Sequence, residues 1–255
     1  MDPAIDRVAV IMPTFNERDN IEATIDRVRA SVPYADILVV DDNSPDGTGE
    51  IAESLAAIDV HVYVLHRAGK AGLGAAYIAG FRWALERGYC TIVEMDADGS
   101  HRPEDLPRML NALAGADLVL GSRWAPGGMV LNWAKSREFL SRSGNAYARL
   151  MLGISLRDVT GGYRAYRAGV LGHISLDEVK SQGYCFQIDM VLRTIQAGFT
   201  VIEVPITFVE REHGISKMSK TIIAEALWRV TLWGIGARSR PNSAMAQANS
   251  GAQAA

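Results

Sequence analysis

Residues 91–105 read TIVEMDADGSHRPED, and the fold and the chemistry both hinge on this stretch. TIVEM (91–95) is a short β-branched run of the kind that forms a buried strand. It stops at Asp96-Ala97-Asp98, where two carboxylates at i and i+2 mark a strand giving way to a loop. Pro103, followed by Glu104 and Asp105, reads as the first turn of a helix, since proline suits that position and acids favour a helix N-terminus. Two carboxylates at a strand end can reach one cation beyond the sheet edge, and their hard oxygens suit Mg²⁺ or Mn²⁺ carrying a substrate's phosphates. An isolated Asp-x-Asp also fits a solvated turn, and Ser100 and His101 fit simple hydrogen-bonding roles.

Upstream, the same rhythm repeats. Apolar runs at 8–12 (VAVIM), 37–40 (ILVV), 60–65 (VHVYVL) and, downstream, 117–120 (DLVL) read as further strands. Between them the apolar residues take helical spacing: Ile21, Ile25 and Val28; Ile51 and Leu55; Ala76, Ile78, Phe81 and Leu85. Strand and helix in alternation predict an α/β fold, a mostly parallel sheet covered on both faces, with ligands at the carboxyl ends of the strands. After residue 121 the rhythm changes. GSRWAPGG (121–128) reads as a loop, 135–152 as a basic helix, 161–162 as a Gly-Gly turn and YRAYR as a strand. Residues 187–197 read as a helix and TVIEVPITFV (200–209) as a strand that Pro205 bends or places at an edge. The sequence predicts a single domain over 1–238, including an amphipathic segment at 219–237, and a disordered tail over 239–255.

Charge is divided unevenly. The chain has 26 basic and 29 acidic side chains, a net −3, yet residues 1–105 carry −10 and residues 106–255 carry +7. An acidic front half suits metal ligands; a basic back half suits phosphate, nucleic acid or a membrane surface, although solvated faces alone can give such a split. The basic residues cluster at Arg123, Lys135, Arg137, Arg142 and Arg149, and again at Arg211, His213, Lys217 and Lys220. Arginine forks grip phosphate oxygens. The aromatics among these bases are not read as stacking platforms for nucleobases, which disfavours nucleic acid.

Several chemistries are excluded. The first strand runs into Pro13-Thr14-Phe15-Asn16-Glu17 rather than a G-x-G-x-x-G turn, which counts against nicotinamide and flavin enzymes. AGKAGLGAA (68–76) lacks the P-loop spacing, but its Lys70 and backbone N–H groups could face a diphosphate, or it could be a plain turn into a helix. No G-x-S-x-G or H-E-x-x-H pattern occurs. Asp41 and Asp42 close the second strand, where an acid commonly accepts hydrogen bonds from a nucleotide, whereas Asp46 reads as a turn stabiliser. Cys90 and Cys185 are too few for a disulfide framework, and no signal-peptide pattern opens the chain, so a cytoplasmic setting is expected.

Taken in order, PTFNE (13–17), VDDNSPDGT (40–48), HRAGKAGLGAA (66–76), MDADGSHRPED (95–105), GSRW and GG (121–128), SREFLSRSGN (136–145), DVTGGYRAY (158–166) and REHGISK (211–217) resemble the family 2 glycosyltransferases of GT-A fold. The resemblance covers roughly residues 8–220 and is specifically to the polyprenol-phosphate (dolichol-phosphate) mannose synthases. It implies transfer of mannose from GDP-mannose to a polyprenyl phosphate, with inversion and a divalent metal. It also implies roles: Pro13, Phe15, Glu17 and Asp42 at the nucleotide; Ala97 at the substrate; Asp96 and Asp98 at nucleotide and metal; Arg123, Arg137 and Ser141 at the acceptor phosphate; Arg211 and Lys217 at the donor diphosphate. Many relatives carry Gln as a further metal ligand where Ser100 stands here. A UDP-glucose or other nucleotide-sugar transferase, and a non-catalytic nucleotide-sugar-binding regulator, are the alternatives.

A lipid acceptor raises the question of the membrane. TIIAEALWRVTLWGIG (221–236) is too short to span a bilayer and is interrupted by Glu225 and Arg229. Trp228 and Trp233 suit an interfacial helix, and an ordinary helix packed on the domain fits equally. The expected setting is peripheral, on the cytoplasmic membrane face, with an integral-membrane partner protein as a further possibility.

Overall fold

The computed structural model describes residues 7–179, 181, 183–211 and 227–235. The chain runs β1 (Val8–Thr14), α1 (Ile21–Ser31), β2 (Asp36–Asp41), α2 (Thr48–Ala56), β3 (Val62–His66), α3 (Leu73–Glu86), β4 (Thr91–Glu94), α4 (Leu106–Ala112) and β5 (Leu118–Ser122). It continues through β6 (Met129–Leu131), α5 (Lys135–Leu152), β7 (Arg164–Arg167), α6 (Ala168–His173), α7 (Tyr184–Gln196), β8 (Val201–Pro205) and β9 (Thr207–Val209). Residues 227–235 are helical.

Seven strands make one sheet in the order β3-β2-β1-β4-β7-β5-β8. β7 runs antiparallel to both neighbours, and every other pairing in this sheet is parallel. β1 shows why the apolar runs do not alternate with polar residues. Ala9 and Ile11 enter one core with Phe81 of α3 and Phe186 of α7, while Val8, Val10 and Met12 enter the other with Ile21 and Ile25 of α1. Successive side chains leave a strand on opposite faces, so a strand covered on both must be apolar throughout. At Gly80 an added Cβ would lie 2.3 Å from Ile11 Cγ2, so α3 approaches β1 more closely than any side chain there would allow.

The chain leaves β1 for β2 on one side and reaches β4 on the other, which opens a crevice at the carboxyl ends of β1 and β4. The 200–209 run divides. β8 forms the sheet edge and ends at Pro205, and β9 turns away to pair with β6 in a separate two-stranded parallel ribbon. The predicted basic helix at 135–152 coincides with α5. Lys217, Lys220, His213 and the tail 239–255 lie outside the described residues.

Candidate active site

The loop after β4 is pinned from three sides. The Ala97 carbonyl accepts a hydrogen bond from Thr24 Oγ1 of α1 at 3.0 Å, and the buried Tyr77 of α3 donates its hydroxyl to Asp96 Oδ1 at 3.1 Å. Asp96 N–H donates to His101 Nδ1 at 3.0 Å, which leaves the imidazole proton on Nε2, 3.9 Å from Asp96 Oδ2. Burial holds the His101 pKa below its ordinary value, so the ring is neutral, stacked on Tyr163 and met edge-on by Phe208. Gly99 takes a left-handed φ of 75°, and Ser100 N–H then closes back onto Asp98 Oδ1 at 3.1 Å. Asp98 is nearly buried, and its Oδ2 lies 3.3 Å from Arg211 Nη2.

The ends of β1 and β2 form the facing wall. Pro13 pairs in register with Val40, and Asp42 N–H donates to the Thr14 carbonyl at 3.1 Å. Arg67 holds the Asp42 carboxylate. Glu17 N–H donates to Thr48 Oγ1 at 3.0 Å, and Lys70 Nζ sits 4.3 Å over the Phe15 ring. Pro13 and the loop after it, with Phe15 and Glu17, are thus brought together with Asp42 after β2 and Lys70 before α3. Asp46 has the turn-stabilising role read from the sequence, accepting from Thr48 N–H at 3.0 Å and from the Thr48 hydroxyl.

The basic cluster has a different character from the one expected. Arg123 is 95% buried, and its Nε and Nη2 each lie 2.7 Å from Asp158, whose carboxylate also accepts the Arg123 backbone N–H at 3.0 Å. Burial alone would raise the Asp158 pKa; the charge and hydrogen bonds of Arg123 outweigh it and hold the group below the usual carboxylate range. Arg123 was expected to face an acceptor phosphate, but this edge of its guanidinium is spent on Asp158, which also compensates its charge. Arg137 and Ser141, one helical turn apart on α5, share a side with Asn145, whose Nδ2 donates to Thr160 Oγ1 at 3.0 Å beside Arg123. Arg137 is ion-paired to Glu210, and Arg142 to Glu138 at 2.8 Å.

Sequence reasoning passed over Asp158, Glu210, Tyr77, Tyr163 and Phe208 as site residues. No spacing rule joins Arg123 to a residue 35 positions later, or Arg137 to one 73 positions later. One signal was available only from structure: among the described residues, the buried side-chain atoms without a hydrogen-bond partner are Glu94 Oε1, Ser100 Oγ, Gln187 Oε1 and the indole Nε1 atoms of Trp124 and Trp133. Gln187 donates to Glu94 at 2.7 Å, two residues before Asp96. Burial raises the Glu94 pKa to about 7, with the Arg164 charge opposing. Buried polar atoms without a partner are uncommon in native folds, and each calls for an explanation such as a functional role, an ordered water or an ion.

The donor set suits a divalent cation. Asp96 and Asp98 give hard carboxylate oxygens, and the unpartnered Ser100 hydroxyl stands two residues on. No third His, Cys, Asp or Glu joins them among the described residues. Magnesium and manganese sites at nucleotides commonly use just one or two carboxylates and leave the other positions to phosphate and water.

The profile of glycosyl transferase family 2 matches residues 9–175, a span that contains the crevice, the Asp96–Asp98 loop and α5. The chain belongs to this family. It is 58% identical over 232 residues to an undecaprenyl-phosphate mannosyltransferase of Micrococcus luteus, covering 91% of this chain and 96% of that one. It is 57% identical over 234 residues to the polyprenol monophosphomannose synthase of Mycolicibacterium smegmatis, covering 91% and 88%. Solved structures share the GT-A fold at low identity. A mannosyltransferase from Pyrobaculum calidifontis in complex with GDP-Man and Mn²⁺ has a TM-score of 0.58 at 19% identity, over 97% of this chain and 79% of that one. A glucosyl-3-phosphoglycerate synthase from Mycobacterium tuberculosis, in complex with Mn²⁺, UDP and glucosyl-3-phosphoglycerate, has a TM-score of 0.64 at 19% identity, over 93% and 82%.

Proposed function

We propose that this glycosyltransferase transfers mannose from GDP-mannose to a polyprenyl phosphate, with inversion, giving polyprenyl phosphate mannose and GDP. The observation that carries this reading is the division of the site. Carboxylates and a hydroxyl gather after β4, arginines gather after β5 and on α5, and residues 208–211 touch both groups through Arg211 on Asp98 and Glu210 on Arg137. The names of the bacterial relatives support the donor sugar and the lipid acceptor.

The chemistry asks for two anions to be brought together. An oxygen of the acceptor phosphate attacks the anomeric carbon from the face opposite the diphosphate, and the carbon–oxygen bond to GDP breaks with its electron pair leaving on the diphosphate. That nucleophile is already ionised near neutral pH, so no side chain need deprotonate it; positioning and charge compensation do the work. Pro13, Phe15, Glu17, Asp42 and Lys70 hold the nucleotide. Arg211, with Lys217, offsets the diphosphate, while Arg137 and Ser141 present a cation and a hydroxyl to the acceptor. Arg123, fixed by Asp158, braces this end. A divalent cation, Mg²⁺ or Mn²⁺, held by Asp96 and Asp98 with Ser100 alongside, would supply Lewis-acid stabilisation of the leaving diphosphate.

A lipid acceptor places the enzyme at a membrane surface, and the cytoplasmic face, where GDP-sugar donors would reach it, fits the reading. Among the described residues no helix is long and apolar enough to cross a membrane. The exposed side of 227–235 is apolar, with Leu227, Trp228, Leu232 and Ile235 open to solvent, which suits shallow interfacial contact and leaves room for an integral-membrane partner protein. Nucleic acid has no place in this reading. The test is a donor panel with a short polyprenyl phosphate and Mg²⁺ or Mn²⁺. Label from GDP-mannose should enter the organic phase. Transfer from UDP-glucose instead would overturn the donor assignment, and binding without transfer from any donor would make the chain a regulator.

A further inference from the structure

Among the described residues, the buried indole Nε1 atoms of Trp124 and Trp133 have no hydrogen-bond partner, and their ring centroids lie 6.3 Å apart at 70°. Trp124 itself is only 9% exposed. Each ring face is already taken by a cation, Arg142 at 4.1 Å from the Trp124 centroid and Arg137 at 4.2 Å from that of Trp133. Arg123 stands 5.6 and 5.5 Å from the same two rings. An indole attracts cations to its negative face and offers a donor only at its N–H edge. Stacked guanidiniums therefore satisfy the faces and leave the N–H groups wanting an acceptor.

The rings are firmly placed. Ser122 Oγ accepts from the backbone N–H groups of Trp124 and Ala125 at 3.3 and 3.0 Å. A Cβ at Gly128 would meet the Ser122 carbonyl at 2.5 Å, so the 123–128 loop folds back as tightly as glycine allows. Phe208 packs edge-on against Trp133 with 5.3 Å between centroids. The guanidiniums nearby each hold a carboxylate: Asp158 on Arg123, Glu210 on Arg137 and Glu138 on Arg142. An incoming anion must share these cations with resident acids, whereas the two indole donors face no such competitor among the described residues.

We propose that the Trp124 and Trp133 indole N–H groups donate hydrogen bonds to the phosphate of the polyprenyl phosphate acceptor. They orient its oxygens while Arg137 and Arg142, stacked on the same rings, supply charge. This rests on the mannosyltransferase reading and adds two substrate-binding residues to it.

The test uses the whole protein labelled with ¹⁵N at its five tryptophan indoles. Trp124→Phe and Trp133→Phe, which keep an aromatic ring under each guanidinium, assign the two resonances. Replacing Trp83, Trp228 and Trp233 in turn assigns them by elimination if either variant fails to fold. A short-chain prenyl phosphate should move both resonances downfield, inorganic phosphate should do so at higher concentration, and GDP-mannose alone should leave them in place. Trp133→Phe should raise the acceptor KM about tenfold, the equivalent of one lost hydrogen bond to a charged group, with GDP-mannose affinity unchanged. Resonances that stay fixed at saturating prenyl phosphate overturn the proposal, whether or not inorganic phosphate moves them. If the wild type mannosylates no polyprenyl phosphate at all, the functional reading fails instead, and the assay reports that separately from the indole shifts.

Discussion

Arg211 Nη2 lies 3.3 Å from Asp98 Oδ2, joining the segment that follows β9 to the carboxylates that follow β4. The residue before it, Glu210, holds Arg137 of α5. Two neighbouring residues therefore tie the proposed donor end of the site to the proposed acceptor end, each by a pair of opposite charges. A bound diphosphate would compete with Asp98 for Arg211, and a bound phosphate would compete with Glu210 for Arg137.

Removing a carboxylate from the β4 end should silence transfer. Asp98→Ala takes away a proposed cation ligand and the carboxylate beside Arg211, and we expect a loss of about a hundredfold or more in kcat. Calorimetry with Mn²⁺ and GDP should show the matching loss of metal-assisted nucleotide binding. A folded variant that turns over like the wild type would remove Asp98 from the mechanism.

Arg137→Ala separates the two substrates. Arg137 lies on α5 beside Trp133 and Glu210, whereas Asp42 and Lys70 belong to the neighbourhood at the ends of β1 and β2. The acceptor KM should rise about tenfold or more, in line with a lost charge-assisted hydrogen bond, while calorimetry finds GDP-mannose affinity intact. Lost GDP-mannose affinity with unaltered acceptor kinetics would reverse the assignment.

The Arg123–Asp158 pair predicts a stability effect and its pH dependence. Asp158→Asn strips a buried guanidinium of its counter-charge and should cost about 3 kcal/mol in denaturant unfolding. The folded Asp158 carboxyl titrates below its unfolded value of 3.8. Its contribution is therefore present above that value and lost as the pH falls through the folded pKa. The stability gap between wild type and Asp158→Asn should narrow on going from pH 6 towards pH 3; a gap that widens there contradicts the pairing.

The two tryptophans of 221–236 should behave differently, although the sequence suggested the same interfacial role for both. Trp228 is 65% exposed, whereas Trp233 packs against the main core, on a helix that Thr231 ties to Tyr147 at 2.6 Å. Trp228→Ala should leave stability within about 0.5 kcal/mol and reduce sedimentation with anionic liposomes in a salt-sensitive way. Trp233→Ala should cost about 2 kcal/mol or more by opening a cavity. Unchanged liposome binding by folded Trp228→Ala would place the membrane contact elsewhere.

What the sequence determined by itself was the local order. β-Branched runs fixed β1 to β5, proline and acids marked the turn at 103–105, and glycine, aspartate and asparagine marked the loops, because each of these signals depends on neighbours a few residues away. The strand-end position of Asp96 and Asp98 followed from the same reading, and eight motifs in order carried the family. The tertiary structure decided everything that depends on partners far apart in the chain. β7 is inserted antiparallel between β4 and β5, Arg123 is committed to Asp158, Glu210 and Arg211 tie the two halves of the site, and Trp228 parts from Trp233. The physical reason is that hydrophobic period reports only whether a segment has an apolar face. Which charge a buried arginine meets, and which tryptophan the core receives, is set by how separate segments pack together.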